Sequence, residues 1–366
     1  MLRRFLSMLF VVLIVPVMIS AQEETPEPSL EPWLCPGDFA GQELHIYNWS
    51  TYIAETTIPQ FEEACDVTVT YSTYSSNEDM LTRIRLGNPG YDVIFPGNYI
   101  IPVMIREELL IPLDLDALPN VVNVRPEFLE RESDPGNLYS VPYLVSSLGV
   151  GYNTEIFPDG IQSWEQVWNH DGPVAWIDDP RIMLGVALKQ LGYDPNSENP
   201  DEIAEAGDYL LERSDNVVAI AEDDGQAMLV RGDVDIAVEY GGDIYQVIFE
   251  CECDTYDYVL PIEGTNIEVD GVAIPVDAPN PELAMAFMDF IMSPQAAADI
   301  ANYTGYGSTN LAAIENGLID AEALATPGIY PPEDILENLF PLNEINDEAE
   351  QAFQDTWDFL LISIGS

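Results

Sequence analysis

The sequence predicts an α/β fold made of two lobes. Strand-like and helix-like segments alternate along the chain, and this alternation favours a parallel sheet covered by helices. The length of 366 residues favours two domains. Two extended segments, residues 139–152 and 267–275, carry few helix signals, and each is long enough to cross between lobes. We therefore expect two lobes joined by a double-stranded hinge.

The alternation begins with an apolar run, Leu44–Tyr47, that predicts a buried strand. The following segment, Ile53–Cys65, has apolar residues near helical spacing with glutamates between them, which predicts a helix. The further predicted elements are strand Val67–Tyr71, helix Glu78–Leu86, strand Tyr91–Phe95, helix Ile101–Glu108, strand Val174–Ile177, helices Pro180–Leu191, Asp201–Arg213 and Gln226–Val230, strand Asp235–Glu239, and helices Pro281–Met292 and Ala349–Leu361.

The two extended segments suggest where the chain changes lobes. We expect the first lobe to contain residues 42–148 and 271–314. The second lobe is expected to contain residues 149–270 and 315–366. In this arrangement the chain returns to the first lobe and then finishes on the second.

The first residues predict that the protein is exported. Arg3 and Arg4 precede an apolar stretch up to Ile19, and small residues then lead to a polar, acidic run. This pattern indicates a signal peptide over residues 1–21, cleaved after Ala21. Residues 22–41 are expected to form a flexible acidic, proline-rich leader. We therefore expect a periplasmic or extracellular location.

The charge balance is strongly acidic. Loss of Arg3 and Arg4 with the signal peptide lowers the basic count from 11 to 9 against 65 acids, so the formal charge moves from −54 to −56. Such a surface repels nucleic acid and anionic lipids and attracts cations. The acidity is equally explained as an adaptation for solubility. We expect no nucleic-acid partner, and charge alone does not identify a cationic ligand.

Four cysteines in an exported chain permit three pairings. Cys65 lies before the second predicted strand, at the same sheet edge where the first strand begins, and Cys35 lies just upstream of that strand. We therefore expect a Cys35–Cys65 disulfide. Cys251 and Cys253 are then left either as a small strained ring or as two free thiols.

The sequence lacks the common catalytic motifs. It has no nucleophile elbow, no glycine-rich phosphate loop and no paired-histidine zinc motif. Its two histidines, His45 and His170, have no partner motif for nucleophilic catalysis nearby. We therefore expect no catalytic residue, no metal site and no cofactor.

Aromatic and acidic side chains instead follow the predicted strands, where open α/β sheets bind their ligands. An elongated cation with apolar methylenes suits aromatic walls and interspersed carboxylates. The candidates are Trp49, Tyr52, Tyr99, Asp178, Asp179, Tyr240, Asp243, Glu268, Asp270 and Tyr306.

Each candidate also has an explanation without a ligand. The aromatic residues are equally explained as core residues. Asp179 precedes Pro180 and is placed to cap a helix, and Asp243 is placed to cap a helix over Ile244–Phe249. Glu268 and Asp270 share one face of a strand, and without a ligand this face is explained as a solvent-exposed surface.

Five motifs occur in the same order and at similar spacing in a known family. They are Tyr47–Ile53, Tyr71–Glu78, Tyr91–Pro96, Val272–Pro275 and Gly305–Ala313. From about Leu44 nearly to its end, the chain resembles the spermidine/putrescine-binding proteins of bacterial ABC importers. The resemblance implies a type II periplasmic-binding fold that holds a polyamine between two lobes.

Carried over by position, the resemblance also implies roles for individual residues. Ser50 is implied as a polar contact, and Tyr240 stands where a tryptophan is usual in relatives. Three positions depart from the family pattern: Thr51 and Ile182 stand where relatives often have acids, and Glu268 stands where spermidine binders have a tryptophan. The implied aromatic box is Trp49, Tyr52, Tyr99, Tyr240 and Tyr306, and the implied ammonium-binding acids are Asp179, Asp243 and Asp270.

These observations lead to the hypothesis of a monomeric, non-enzymatic receptor that delivers a polyamine to a membrane ABC permease. One alternative is an exported hydrolase that uses two carboxylates, because aromatic residues also stack on sugars. Another is the same fold with a sugar, a different amine or a metal-bound anion as its ligand. The sequence leaves open which polyamine is preferred and whether the leader is tethered.

Overall fold

The computed structural model describes residues 30 and 32–365, except residues 130, 223 and 252. The predicted signal peptide, residues 1–21, and residues 22–29 and 31 of the predicted leader lie outside the described residues. Within the part described, no helix has the length and apolar character needed to cross a membrane.

Ten strands of the described chain form one mixed sheet. The strands are β1 Glu43–Trp49, β2 Thr68–Tyr74, β3 Val93–Ile94, β4 Ser140–Asn153, β5 Val174–Ile177, β6 Val217–Ala221, β7 Ile236–Tyr240, β8 Tyr256–Val259, β9 Ile267–Ala273 and β10 Gly307–Ser308. The spatial order is β2-β1-β3-β9-β4-β7-β5-β6, and β8 and β10 also pair with β4.

The helices cover this sheet. They are α1 Thr57–Cys65, α2 Asn77–Arg85, α3 Ile100–Arg106, α4 Pro126–Leu129, α5 Trp164–Trp168, α6 Pro180–Leu191, α7 Pro200–Leu211, α8 Gly225–Arg231, α9 Gly241–Cys251, α10 Pro281–Ile291, α11 Pro294–Thr304, α12 Leu311–Glu315, α13 Ala321–Ala325, α14 Glu333–Leu336 and α15 Asp347–Ile364. Two 3₁₀ helices, Leu115–Ala117 and Pro119–Asn123, lie between α3 and α4.

Strand β4 belongs to both halves of the sheet. Its first part, Ser140–Ser147, pairs antiparallel with β9, and its second part, Leu148–Asn153, pairs antiparallel with β7 and β8. The register of β4 and β9 shifts between Pro142 and Val145. Both extended segments predicted to cross between lobes are therefore strands, and they lie side by side. The lobe limits themselves remain a prediction.

The α/β class is confirmed, but the prediction of a parallel sheet is wrong at its centre. β1 pairs parallel with β2 and β3, and β5 pairs parallel with β6 and β7. β9 and β4 run antiparallel to their neighbours. The reason is that two crossing strands of one hinge pair with each other, which inserts an antiparallel pair between two parallel sets.

Local signals explain where the best-predicted helix begins and ends. In α6, Asp179 caps the start by accepting a hydrogen bond from the backbone N–H of Ile182 at 2.9 Å, and Pro180 occupies the first turn. The helix ends at Gly192, whose φ of 85° lies in the left-handed region that favours glycine. The chain-terminal helix α15 packs against α6 and α7, on the β5 side of the sheet.

Both cysteine pairs form disulfides. Cys35 is bonded to Cys65, which confirms the expected pairing. Cys251 is bonded to Cys253, so these two cysteines form the small ring and are not free thiols. Near the first bridge, the Trp33 ring packs on the Phe290 ring with centroids 5.1 Å apart. The indole N–H of Trp33 donates a hydrogen bond to Oδ2 of Asp289 at 2.7 Å. This part of the predicted flexible leader is therefore packed on α1 and α10.

Candidate ligand-binding site

Nine of the eleven predicted site residues line one cavity. The cavity holds about 470 Å³ of empty space, part of it open to solvent. The nine residues are Trp49, Ser50, Tyr52, Tyr99, Tyr240, Asp243, Glu268, Asp270 and Tyr306. The lining also includes five residues that the sequence analysis did not select: Asn77, Gly97, Ser146, Ile182 and Leu342.

The cavity residues come from the ends of strands and from the crossing strand. Trp49 ends β1, and Tyr240 ends β7 directly before α9. Glu268 and Asp270 are two apart in β9 and share one face, as their spacing predicts. That face is not solvent, because the two side chains are 6% and 8% exposed. The alternative of a solvent-exposed acidic face is therefore excluded.

The Asp270 carboxylate is held by a hydroxyl from the loop after β1. Tyr52 donates a hydrogen bond of 2.5 Å to Oδ2 of Asp270. Burial raises the pKa of Asp270 to about 6, while hydrogen bonds from Tyr52 and Ser146 and the charge of Arg131 oppose the increase. The carboxyl is therefore mainly ionised at neutral pH inside a buried cavity.

The Asp243 carboxylate lies in the first turn of α9 and accepts two side-chain hydroxyls. Thr51 Oγ1 donates to Oδ1 at 2.5 Å, and the Tyr306 hydroxyl donates to Oδ2 at 2.6 Å. Burial raises the pKa of Asp243, and the two hydroxyls act in the opposite direction. Thr51 thus serves here as a hydrogen-bond donor to an acid.

Glu268 has one satisfied oxygen and one unsatisfied oxygen. Oε1 accepts the backbone N–H of Leu342 at 2.6 Å and the side-chain amide of Asn266 at 2.9 Å. Oε2 is buried and has no hydrogen-bond partner in the described part of the chain. Burial raises the pKa of Glu268 to about 8, and both hydrogen bonds oppose the increase. This carboxyl therefore retains its proton at neutral pH.

Asp178 and Asp179 are the two predicted site residues that do not line the cavity. Asp178 accepts the indole N–H of Trp357 at 2.7 Å. The Asp179 carboxylate caps α6, as the alternative interpretation proposed. Asp179 nevertheless lies near the site, because burial and the charge of Asp179 together raise the pKa of Glu78 to about 7. Glu78 in turn accepts the Tyr99 hydroxyl at 3.1 Å. Glu78 could not be identified from the sequence, because an acid in the first turn of a helix is common without any ligand.

The aromatic residues form packed walls. The Tyr52 and Tyr306 rings meet edge to face with centroids 4.7 Å apart. The indole N–H of Trp49 donates to the Phe95 carbonyl at 2.9 Å, which fixes the ring beside Tyr74. Tyr52 and Tyr306 also belong to the hydrophobic core. These two residues are therefore both core residues and cavity-lining residues.

Comparison with known proteins identifies the family. Residues 56–327 match the family model described as bacterial extracellular solute-binding protein. The chain belongs to this family. Export, predicted from the N-terminal residues, agrees with the extracellular location of these solute-binding proteins.

Individual solute-binding proteins extend the similarity over most of the chain. A putrescine-binding periplasmic protein from Pseudomonas aeruginosa is 32% identical, and the match covers 86% of this chain and 90% of the relative. A spermidine/putrescine-binding periplasmic protein from Escherichia coli is 31% identical, with 81% of this chain and 85% of the relative covered.

A solved structure supports the same conclusion for the fold. The spermidine/putrescine ABC transporter substrate-binding protein from Streptococcus pneumoniae superposes with a TM-score of 0.75 at 32% identity. The superposition covers 88% of this chain and 100% of that chain. The two-lobed, type II solute-binding fold that the sequence resemblance implied is thereby confirmed.

Proposed function

We propose that this protein is an extracytoplasmic receptor that captures a polyamine, putrescine or spermidine, between its two lobes and delivers it to an ABC permease. The observation that carries this proposal is the cavity in which Asp243, Glu268 and Asp270 lie buried among aromatic rings. The putrescine- and spermidine/putrescine-binding relatives support the same class of ligand.

The buried carboxylates favour a cationic ligand for an electrostatic reason. Removing a carboxylate from water is costly unless an opposite charge or several donors compensate it. The charge of Arg131 acts on Asp270, but the groups that donate from Tyr52 to Asp270 and from Thr51 and Tyr306 to Asp243 are hydroxyls, which carry no positive charge. Ammonium groups supply that charge, and the methylenes between them contact the aromatic walls.

The contacts also suggest how ligand binding is linked to closure. In the predicted division, Asp243 belongs to the second lobe, whereas Thr51 and Tyr306 belong to the first. The two hydrogen bonds to Asp243 therefore form only when the lobes are together. A ligand that compensates the charge of Asp243 stabilises this closed state over an open, hydrated one.

We further propose that the protein acts as a monomer and without catalysis. Membership of a solute-binding family supports a binding role. Experiment can distinguish such a receptor from an exported hydrolase. A hydrolase would convert its ligand, whereas a receptor releases the ligand unchanged.

Isothermal titration of the mature protein with putrescine and spermidine tests the proposal. We expect a one-to-one stoichiometry per chain and no binding of glucose or glutamate under the same conditions. Mass spectrometry of the ligand after prolonged incubation should recover it unmodified. The absence of binding heat with both amines at millimolar concentrations would exclude the proposed ligand class.

A further inference from the structure

One exposed arginine connects the two halves of the sheet. Arg106 ends α3, which follows β3 and packs against α2, so Arg106 belongs to the half that contains β1, β2 and β3. Its guanidinium forms an ion pair with Glu344, and it approaches Oδ1 of Asp347 at 3.9 Å. Glu344 lies just before α15, and Asp347 is the first residue of that helix.

Both acids are fixed to the other half of the sheet. Helix α15 packs against α6 and α7, on the β5 side. The loop between α6 and α7 holds the chain on either side of Glu344. The backbone N–H of Asn343 donates to Asn196 at 2.8 Å, and that of Asn346 donates to Glu198 at 2.8 Å. The pairing of Arg106 therefore crosses the junction between the two halves.

A neighbouring ion pair leaves Arg106 available for this contact. Glu107, the next residue, accepts two hydrogen bonds of 2.6 and 2.8 Å from Arg85 of α2. This pairing neutralises an acid that would otherwise compete for Arg106 and repel the acids opposite. Nine basic residues follow the predicted signal peptide, against 65 acids, so basic residues are scarce. Two of the nine lie at this junction.

Resting on the proposed polyamine function, we infer that Arg106, Glu344 and Asp347 form a junction salt bridge that stabilises the closed, ligand-bound state. None of the three is among the described residues that line the candidate cavity, so the junction salt bridge acts on affinity through closure. A ligand that binds the closed state loses affinity when that state becomes less populated. Because exposed ion pairs contribute little, loss of this one should raise the Kd by about two- to fivefold.

Charge reversal tests the junction salt bridge by isothermal titration of putrescine at pH 7. Arg106→Glu places three acids together and should increase the Kd about fivefold. The increase should come mainly from faster dissociation, which stopped-flow tryptophan fluorescence measures. Glu344→Arg should weaken binding by a similar factor. The double variant Arg106→Glu/Glu344→Arg restores opposite charges and should bind within about twofold of the wild type.

Two variants control for net charge, because the ligand is a cation. Arg231→Glu makes the same charge change as Arg106→Glu and breaks the 2.7 Å ion pair with Asp233, which lies within one half. The side chains of Arg231 and Arg106 are 54% and 51% exposed. Asp208→Arg, at an exposed position of α7, matches Glu344→Arg. Both controls should bind putrescine as the wild type does. A higher salt concentration does not replace these variants, since salt also screens the attraction between the ligand and the acidic cavity.

The outcomes separate this inference from the proposed function. Circular dichroism melting curves verify that each variant is folded. If the wild type binds putrescine and Arg106→Glu binds as tightly as Arg231→Glu, the inference is wrong and the proposed function stands. If both single variants weaken binding but the double variant does not recover it, the ion pair is not the cause and the inference is again wrong. If the wild type binds neither putrescine nor spermidine, the proposed function fails and the inference fails with it.

Discussion

Tyr306 donates a hydrogen bond of 2.6 Å to Asp243, which lies 63 positions earlier in the sequence. The bond connects the loop after α11 to the first turn of α9. Tyr306 also packs edge to face on Tyr52, the donor to Asp270. One pair of rings therefore positions the hydroxyls that hold two of the three acids lining the cavity.

Removing the Tyr306 hydroxyl should weaken ligand binding without removing the aromatic wall. In Tyr306→Phe, Asp243 loses one of its two side-chain donors, and we expect the putrescine Kd to increase at least about tenfold, because hydrogen bonds to charged groups contribute about 1.5–3 kcal/mol. Isothermal titration measures the change. Tyr303→Phe, at a 41% exposed tyrosine three residues earlier, is the control and should bind as the wild type does.

Polyamine affinity should increase with pH through the titration of Asp270. Because burial raises the pKa of Asp270 to about 6, the carboxyl is progressively protonated below pH 6 and loses its attraction for an ammonium group. The Kd should therefore increase by up to about tenfold per pH unit below 6.

Titrations from pH 5 to pH 7.5 measure this dependence. Tyr52→Phe removes a hydrogen bond that lowers the Asp270 pKa, so the midpoint should move to higher pH in this variant. Asp208→Asn, at an exposed position of α7, should retain the wild-type profile. An unchanged midpoint in Tyr52→Phe would contradict the assignment to Asp270.

The stability of the ligand-free protein should fall as pH rises, owing to Glu268. Its pKa is about 8 in the folded protein against the usual 4.5, so the folded state binds the proton more tightly than the unfolded state between these values. The free energy of unfolding therefore decreases as pH increases across this window.

Glu268→Gln removes this titration, so its stability relative to the wild type should increase from pH 5 to pH 8. Urea denaturation at several pH values measures the difference. The exposed Glu348→Gln is the control and should show no such trend. A constant difference between Glu268→Gln and the wild type would show that the carboxyl is not buried in the ligand-free state.

Loss of the Cys35–Cys65 disulfide should destabilise the protein more than loss of the other bridge. The cysteines are 30 positions apart, and a loop of this length corresponds to roughly 3–4 kcal/mol in the chain-entropy model. The double variant Cys35→Ser/Cys65→Ser should therefore unfold at a lower temperature. Cys251→Ser/Cys253→Ser, which opens a bridge between cysteines two positions apart, is the matched comparison and should have a smaller effect.

Residues placed by strand ends could be predicted from the sequence, because the end of a strand is a local signal. Trp49, Tyr52 and Tyr240 each follow a recognisable strand, and all three line the cavity. Leu342 could not be predicted in this way. It reaches the site through a tertiary contact, since its backbone N–H bonds to Glu268, 74 positions away.

The mixed direction of the sheet was also beyond local signals. The segments that form β4 and β9 read as extended, but their mutual pairing depends on both crossing the same hinge. For Asp179, two interpretations were compatible with the sequence, and the structure shows the helix cap. An aspartate before a proline gives the same sequence pattern whether it only caps a helix or also binds a ligand, so the sequence could not separate the two roles.

The contacts of Trp33 and Cys35 determine how the protein transmits a mechanical load. Trp33 donates to Asp289 in α10, and Cys35 is covalently joined to Cys65 at the end of α1. Any tension applied through the preceding residues is therefore borne by these two helices. In the predicted division into lobes, β5, β7 and α9 belong to the other lobe and receive none of this tension directly.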